Sequence, residues 1–87
     1  MNKIWSDKAW DDYLYWQMQD KKTLRCINQL IKDIERGHFE GLGKPEPLKH
    51  DYAGWWSRRI DEYNRLIYRI KNNQIELAQC GAHYRDK

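Results

Sequence analysis

Apolar and polar positions change their period partway along the chain. Ile4 and Trp5 read as the end of a short opening strand, after which Ser6 is a suitable helix N-cap with Asp7 at the positive end of the helix dipole. Ala9 or Trp10, Tyr13, Leu14 and Gln17 then recur at steps of three and four, which predicts a first helix with an apolar stripe. Asp20 is placed to cap a second helix. In it Leu24, Ile27, Ile31 and Ile34, flanked by Leu30, share one face, while Lys21, Lys22, Arg25, Lys32, Glu35 and Arg36 stay in water. Gly37 ends this helix as a C-cap glycine.

Residues 38–47 follow as a loop, punctuated by Gly41, Gly43, Pro45 and Pro47 and too long for a minimal connector. Beyond it the period becomes two. Residues 55–60, 65–70 and 75–80 alternate as strands, joined by turns at 61–64 and 71–74. Connections this short favour antiparallel hairpins, so the expected fold class is α+β, with two N-terminal helices packed on one face of a mostly antiparallel sheet. Adjacent Trp55 and Trp56 point to opposite faces of their strand, which leaves one of them outside the main core.

A length of 87 residues fits a single domain with little stability to spare. Five Trp, six Tyr and one Phe compensate, since each buries a large area. Charged residues interrupt any apolar run at the N-terminus, and no stretch approaches the ~20 residues of a membrane span, so a soluble cytoplasmic protein is expected. Cys26 and Cys80 have neither the spacing of a disulfide framework nor His or Cys partners at zinc-site distances, and read as small buried residues. No metal or cofactor is expected.

The formal charge of +3 is mild, but its placement is informative. Residues 1–43 balance seven Lys or Arg against seven Asp or Glu, whereas residues 44–87 hold nine against six. Lys44, Lys49, Arg58, Arg59, Arg65, Arg69 and Lys71 therefore mark a candidate phosphate-binding region. Arg59 and Arg65 flank a hairpin turn, and an odd number of residues between paired positions would put both on one face, where two guanidiniums can hold a phosphate. Arginines at alternate strand positions equally suit the solvated face of a half-buried sheet.

Glu46 stands between Pro45 and Pro47, which stiffen its backbone, with Lys44 and Lys49 nearby. A carboxylate so placed suits a general base, though a solvated loop Glu has the same sequence appearance. His83 follows the last strand beside Tyr84 and is the natural proton donor of the set, because imidazole titrates near neutrality. Tyr84 can stack on a base; the pair can also be a terminal aromatic packed on the core. His38 and His50 sit in polar turns and read as solvated.

These residues also carry a resemblance. The segments Ile4-Trp5-Ser6, Trp10-Asp11-Asp12-Tyr13-Leu14-Tyr15-Trp16, Phe39-Glu40-Gly41, Gly43-Lys44-Pro45-Glu46-Pro47-Leu48-Lys49-His50, Trp56-Ser57-Arg58-Arg59-Ile60, Arg65-Leu66-Ile67-Tyr68 and His83-Tyr84 closely resemble YoeB toxins. Those belong to the RelE-type superfamily and are paired with YefM-type antitoxins. The match runs in order over nearly the whole chain, and its Gly-Lys-Pro-Glu-Pro-Leu-Lys-His segment is specific. Arg85-Asp86-Lys87 extend past the His-Tyr pair at which the family pattern typically finishes, and read as a solvated tail.

The resemblance implies a RelE-like microbial RNase fold and a ribosome-dependent endoribonuclease that cuts messenger RNA in the A site of the 70S ribosome. It implies Glu46 as base, His83 as acid and Arg65 as stabiliser of the transition state, with Lys49, Arg59 and Tyr84 orienting phosphate and base, the last by stacking or hydrogen bonding; Lys44 and Arg58 join the phosphate-binding set from the placement of charge. It also implies a YefM-type antitoxin, a homodimer, and operator DNA bound only as the toxin–antitoxin complex. The rival reading is a binding protein on the same fold: a ParE-like gyrase inhibitor, or a catalytically silent ribosome binder or co-repressor.

Overall fold

In the computed structural model, which describes residues 1–82, both predicted caps organise the helical half. The elements in chain order are β1 (Asn2–Trp5), α1 (Asp7–Gln19), α2 (Lys21–Arg36), β2 (Glu46–Pro47), a 3-10 turn at His50–Tyr52, β3 (Trp56–Arg59), β4 (Asn64–Lys71) and β5 (Gln74–Ala82). Ser6 Oγ accepts the Ala9 N–H at 3.0 Å, closing the first turn of α1. Asp20 serves both helices. Its N–H donates to Trp16 O at 2.9 Å, and its carboxylate accepts the N–H groups of Lys22 and Thr23 at 3.1 and 3.2 Å. Those bonds and the Thr23 hydroxyl, the largest influence, hold the Asp20 carboxyl below its usual pKa.

The five strands form one sheet in the order β1-β5-β4-β3-β2, with β1 parallel to β5 and every other pair antiparallel. Asn72 and Asn73 both take positive φ, 54° and 59°, which is the two-residue type I′ turn that joins β4 to β5 with the natural strand twist. The stripe of α2 is as expected: Ile27, Leu30, Ile31 and Ile34 are buried and pack with Leu66, Tyr68, Ile75, Leu77 and Cys80 from the sheet. Cutting Ile27 or Ile34 to Ala is worth about 2–5 kcal/mol at such sites.

One local expectation is corrected. In α1 the inward face is Ala9, Asp12, Tyr13 and Trp16, while Leu14 and Gln17 are exposed. The reason is that β1 ends at Trp5, so the edge of β5 beyond Leu77 has no strand partner there. Asp12 Oδ2 accepts the Cys80 N–H at 3.0 Å, and Trp16 Nε1 donates to Cys80 O at 2.8 Å. Polar side chains of α1 thus satisfy a strand edge, and an apolar stripe does not report that task. Gly37 caps α2, but with φ −136°, not in the left-handed region; a Cβ there would lie 2.9 Å from Glu40 O, so space decides the residue.

Candidate active site

The loop predicted at 38–47 does not stay free of the sheet. Arg59 N–H donates to Gly43 O at 2.6 Å and Leu48 N–H to Trp55 O at 2.9 Å, and between these bonds Glu46 and Pro47 form β2, paired with Ser57 and Trp56. The prolines suit this place because β2 is an edge strand, where their missing N–H groups disturb no ladder. Gly43 has φ 80°, and a Cβ there would lie 2.9 Å from Arg59 O, so the close approach of loop to strand requires glycine.

Arg58 anchors the same loop from below. Its Nη2 donates to Gly37 O and Glu40 O at 2.6 and 3.1 Å, its Nη1 to Leu42 O at 3.1 Å and to Asp33 Oδ2 at 2.6 Å, and its Nε to Tyr68 Oη at 3.2 Å. Asp33 also accepts the Leu42 N–H at 2.9 Å; that bond first, then Arg58, holds its carboxyl below the usual range. Gly41, at φ 123°, lies so close to the Asp33 carboxylate that no Cβ fits. Burial pushes the Tyr68 hydroxyl up. The expectation of Arg58 as a phosphate-binding cation is therefore corrected: the side chain is 0 % exposed and its donors are committed to the loop, Asp33 and Tyr68.

Arg59 and Arg65 are a directly opposed pair across β3 and β4, and so share a face. Arg59 is exposed. Arg65 is half-buried, and its Nη1 donates to Asp61 O at 2.8 Å, Asn64 O at 3.1 Å and Glu62 O at 3.2 Å, while Nε and Nη2 have no hydrogen-bond partner among the described residues. The turn that supplies these carbonyls is itself fixed by Asp61, whose carboxylate accepts the N–H groups of Tyr63 and Asn64 at 2.8 and 2.7 Å. Burial alone would raise the Asp61 carboxyl; hydrogen bonds from Asn64 and Tyr63, with the nearby Arg65 charge, bring it below its usual value.

The adjoining row of the sheet runs Glu46, Ser57, Ile67 and Gln79 across β2, β3, β4 and β5. Alternation puts this row on the face of Arg59 and Arg65, opposite the helices. Ile67 is buried yet takes no part in the core under the helices. Sequence reasoning missed Ser57 and Gln79, whose place depends on register alone. Lys44 and Lys49 are exposed beside β2, Lys44 with φ 52°. Arg69, expected in the phosphate region, is instead ion-paired with Glu76 at 2.6 Å and lies 4.5 Å over the Trp55 ring. Trp56 turns the other way, to the core and Phe39. His83 and Tyr84 lie outside the described residues.

Two helices on one face of a five-stranded sheet, with Glu46, Arg59 and Arg65 on the other face, give the fold of RelE-like toxins. Residues 5–84 match the family described as YoeB-like toxin of bacterial type II toxin-antitoxin system, and the chain belongs to that family. It is 55% identical over 84 residues to Toxin YoeB of Escherichia coli K12, covering 97% of this chain and 100% of that one. The solved YoeB/ParE toxin from Agrobacterium tumefaciens is 46% identical with a TM-score of 0.94, covering 97% and 100% of the two chains. Staphylococcus aureus structures, the heterotetrameric YoeB-YefM complex and a YoeB dimer, are each 45% identical with TM-scores of 0.90, covering 97% of this chain and 98% of theirs.

Proposed function

We propose that this toxin is a ribosome-dependent endoribonuclease that cuts messenger RNA in the A site and so inhibits translation. The observation that carries the reading is the opposed Arg59–Arg65 pair beside the row that begins with Glu46. In the proposed reaction Glu46 removes the proton of a ribose 2′-hydroxyl, whose oxygen attacks the adjacent phosphorus and expels the 5′-oxygen of the next nucleotide. The Nε and Nη2 of Arg65, without a hydrogen-bond partner among the described residues, neutralise the charge that builds on the phosphoryl oxygens, with the guanidinium already oriented by the 61–64 turn. Arg59, Lys49 and Lys44 hold phosphates. By family resemblance His83 protonates the leaving oxygen and Tyr84 orients the base or phosphate. DNA is refused, since it lacks the nucleophile.

The partners follow the relatives: a YefM-type antitoxin, as in the S. aureus complex, a second copy of the chain, as in the S. aureus dimer, and operator DNA bound through the toxin–antitoxin complex. The place of action is the bacterial cytoplasm, where translating ribosomes are; among the described residues no helix is long and apolar enough to cross a membrane.

Primer extension on programmed ribosomes tests the reading. New 5′ ends within the A-site codon are expected with the wild-type chain, and a loss of about 100-fold or more with Arg65→Ala. Ribosomes that keep their messenger intact under the wild-type chain would leave the non-cleaving alternatives standing instead.

A further inference from the structure

β5 alternates regularly from Ile75 to Leu77, both facing the core opposite Ile70 and Tyr68. Continued without a break, this alternation would send Gln79 into the core and turn Cys80 out. Ala78 is an extra residue, a bulge that reverses the parity, so Gln79 pairs with Ile67 and Cys80 with Leu66. Ser6 pins it: its N–H donates to Leu77 O at 2.9 Å and its hydroxyl to Ala78 O at 2.8 Å. Cys80 thereby joins the core, and Gln79 joins the row of Glu46, Ser57 and Ile67, next to the row of Arg59 and Arg65.

Gln79 is 6 % exposed, and its Nε2 is buried with no hydrogen-bond partner among the described residues. A buried donor with nothing to donate to destabilises a fold, and an apolar side chain of similar length would remove that penalty. Its chemistry fits a ligand of this face. An amide presents donors and an acceptor in one plane, the pattern that reads the edge of a base. Phosphate, by contrast, is matched by the charges of the arginine row.

We infer that Gln79 is a specificity-determining residue of this site, its Nε2 donating to an acceptor on the edge of a nucleobase in the bound RNA. The inference rests on the proposed RNA-cutting function. At 6 % exposure Gln79 meets the base only with a side-chain rearrangement on this face, which is part of the inference.

The wild-type chain, Gln79→Met and Gln79→Leu are compared on ribosomes programmed with different A-site codons, and for affinity to the same ribosomes carrying 2′-O-methyl messenger, which cannot be cut. Both variants are expected to melt at or above the wild-type temperature. Relative cutting among codons should shift by about tenfold for at least one base, with weaker binding to the uncut form of that codon. Profiles and affinities that superimpose on wild type overturn the inference, as does a uniform fall across codons with a lowered melting temperature. A wild-type chain that binds programmed ribosomes without cutting defeats the cleavage reading alone, and the affinity arm then decides the role of Gln79. A chain that neither binds nor cuts overturns both.

Discussion

Arg58 and Arg59 share a peptide bond and serve opposite sides of β3. Arg58 is wholly buried among loop carbonyls and Asp33, whereas Arg59 is exposed opposite Arg65. The division follows from strand alternation, and it separates a residue that holds the loop from one that is open to a ligand.

Their substitutions should therefore differ in kind. Arg58→Met leaves Asp33 without its partner and Gly37 O and Glu40 O without their donor, and should destabilise the protein by about 3 kcal/mol or more. Arg59→Met should stay within about 0.5 kcal/mol of wild type in the same urea titration, as surface changes do, and lose activity instead. Equal stabilities for the two variants would show that the Arg58 network does not hold the loop.

Acid should unfold the protein through its hydrogen-bonded carboxylates. Asp33 and Asp61 both lie below the ordinary Asp value of 3.8 in the folded chain, as does Asp20. A carboxyl with a depressed folded pKa contributes stability that is complete above its unfolded value and disappears as pH falls through the folded one. Urea midpoints should thus be insensitive to these groups above about pH 5 and fall progressively below about pH 4. Asp33→Asn should lower the midpoint at neutral pH and make its acid decline shallower. A midpoint unchanged down to about pH 2 would contradict the assignment.

Cys80 should be inert to alkylation in the folded state. It is 0 % exposed, and burial first, then the neighbouring Asp12 charge, pushes its thiol up to about 12. Iodoacetamide at pH 8 followed by intact mass should leave Cys80 unmodified until denaturant is added. Cys26 is half-buried with its thiol raised less, again by burial before the charge of Asp61, and should react first. Native modification of Cys80 ahead of Cys26 would mean that β5 opens from α1.

The sequence by itself determined whatever depends on neighbours along the chain. Ser6 and Asp20 cap helices because a side-chain oxygen reaches N–H groups two or three residues on, and the isoleucines of α2 face one way because 3.6 residues make a turn. The hairpin strands were legible for the same reason, and motif resemblance picked out Glu46 and Arg65 where residue type alone left bland alternatives open. Tertiary structure decided which distant groups meet. Glu46 gained a strand because Gly43 O and Leu48 N–H found β3, and Arg58 left the site because Asp33 and the loop carbonyls claimed it. Arg59 and Arg65 met because the ladder settled on one register, and Gln79 reached their face because a single inserted residue reversed a strand's parity. Register and bulges arise from hydrogen bonds between strands, which no periodicity within one strand encodes.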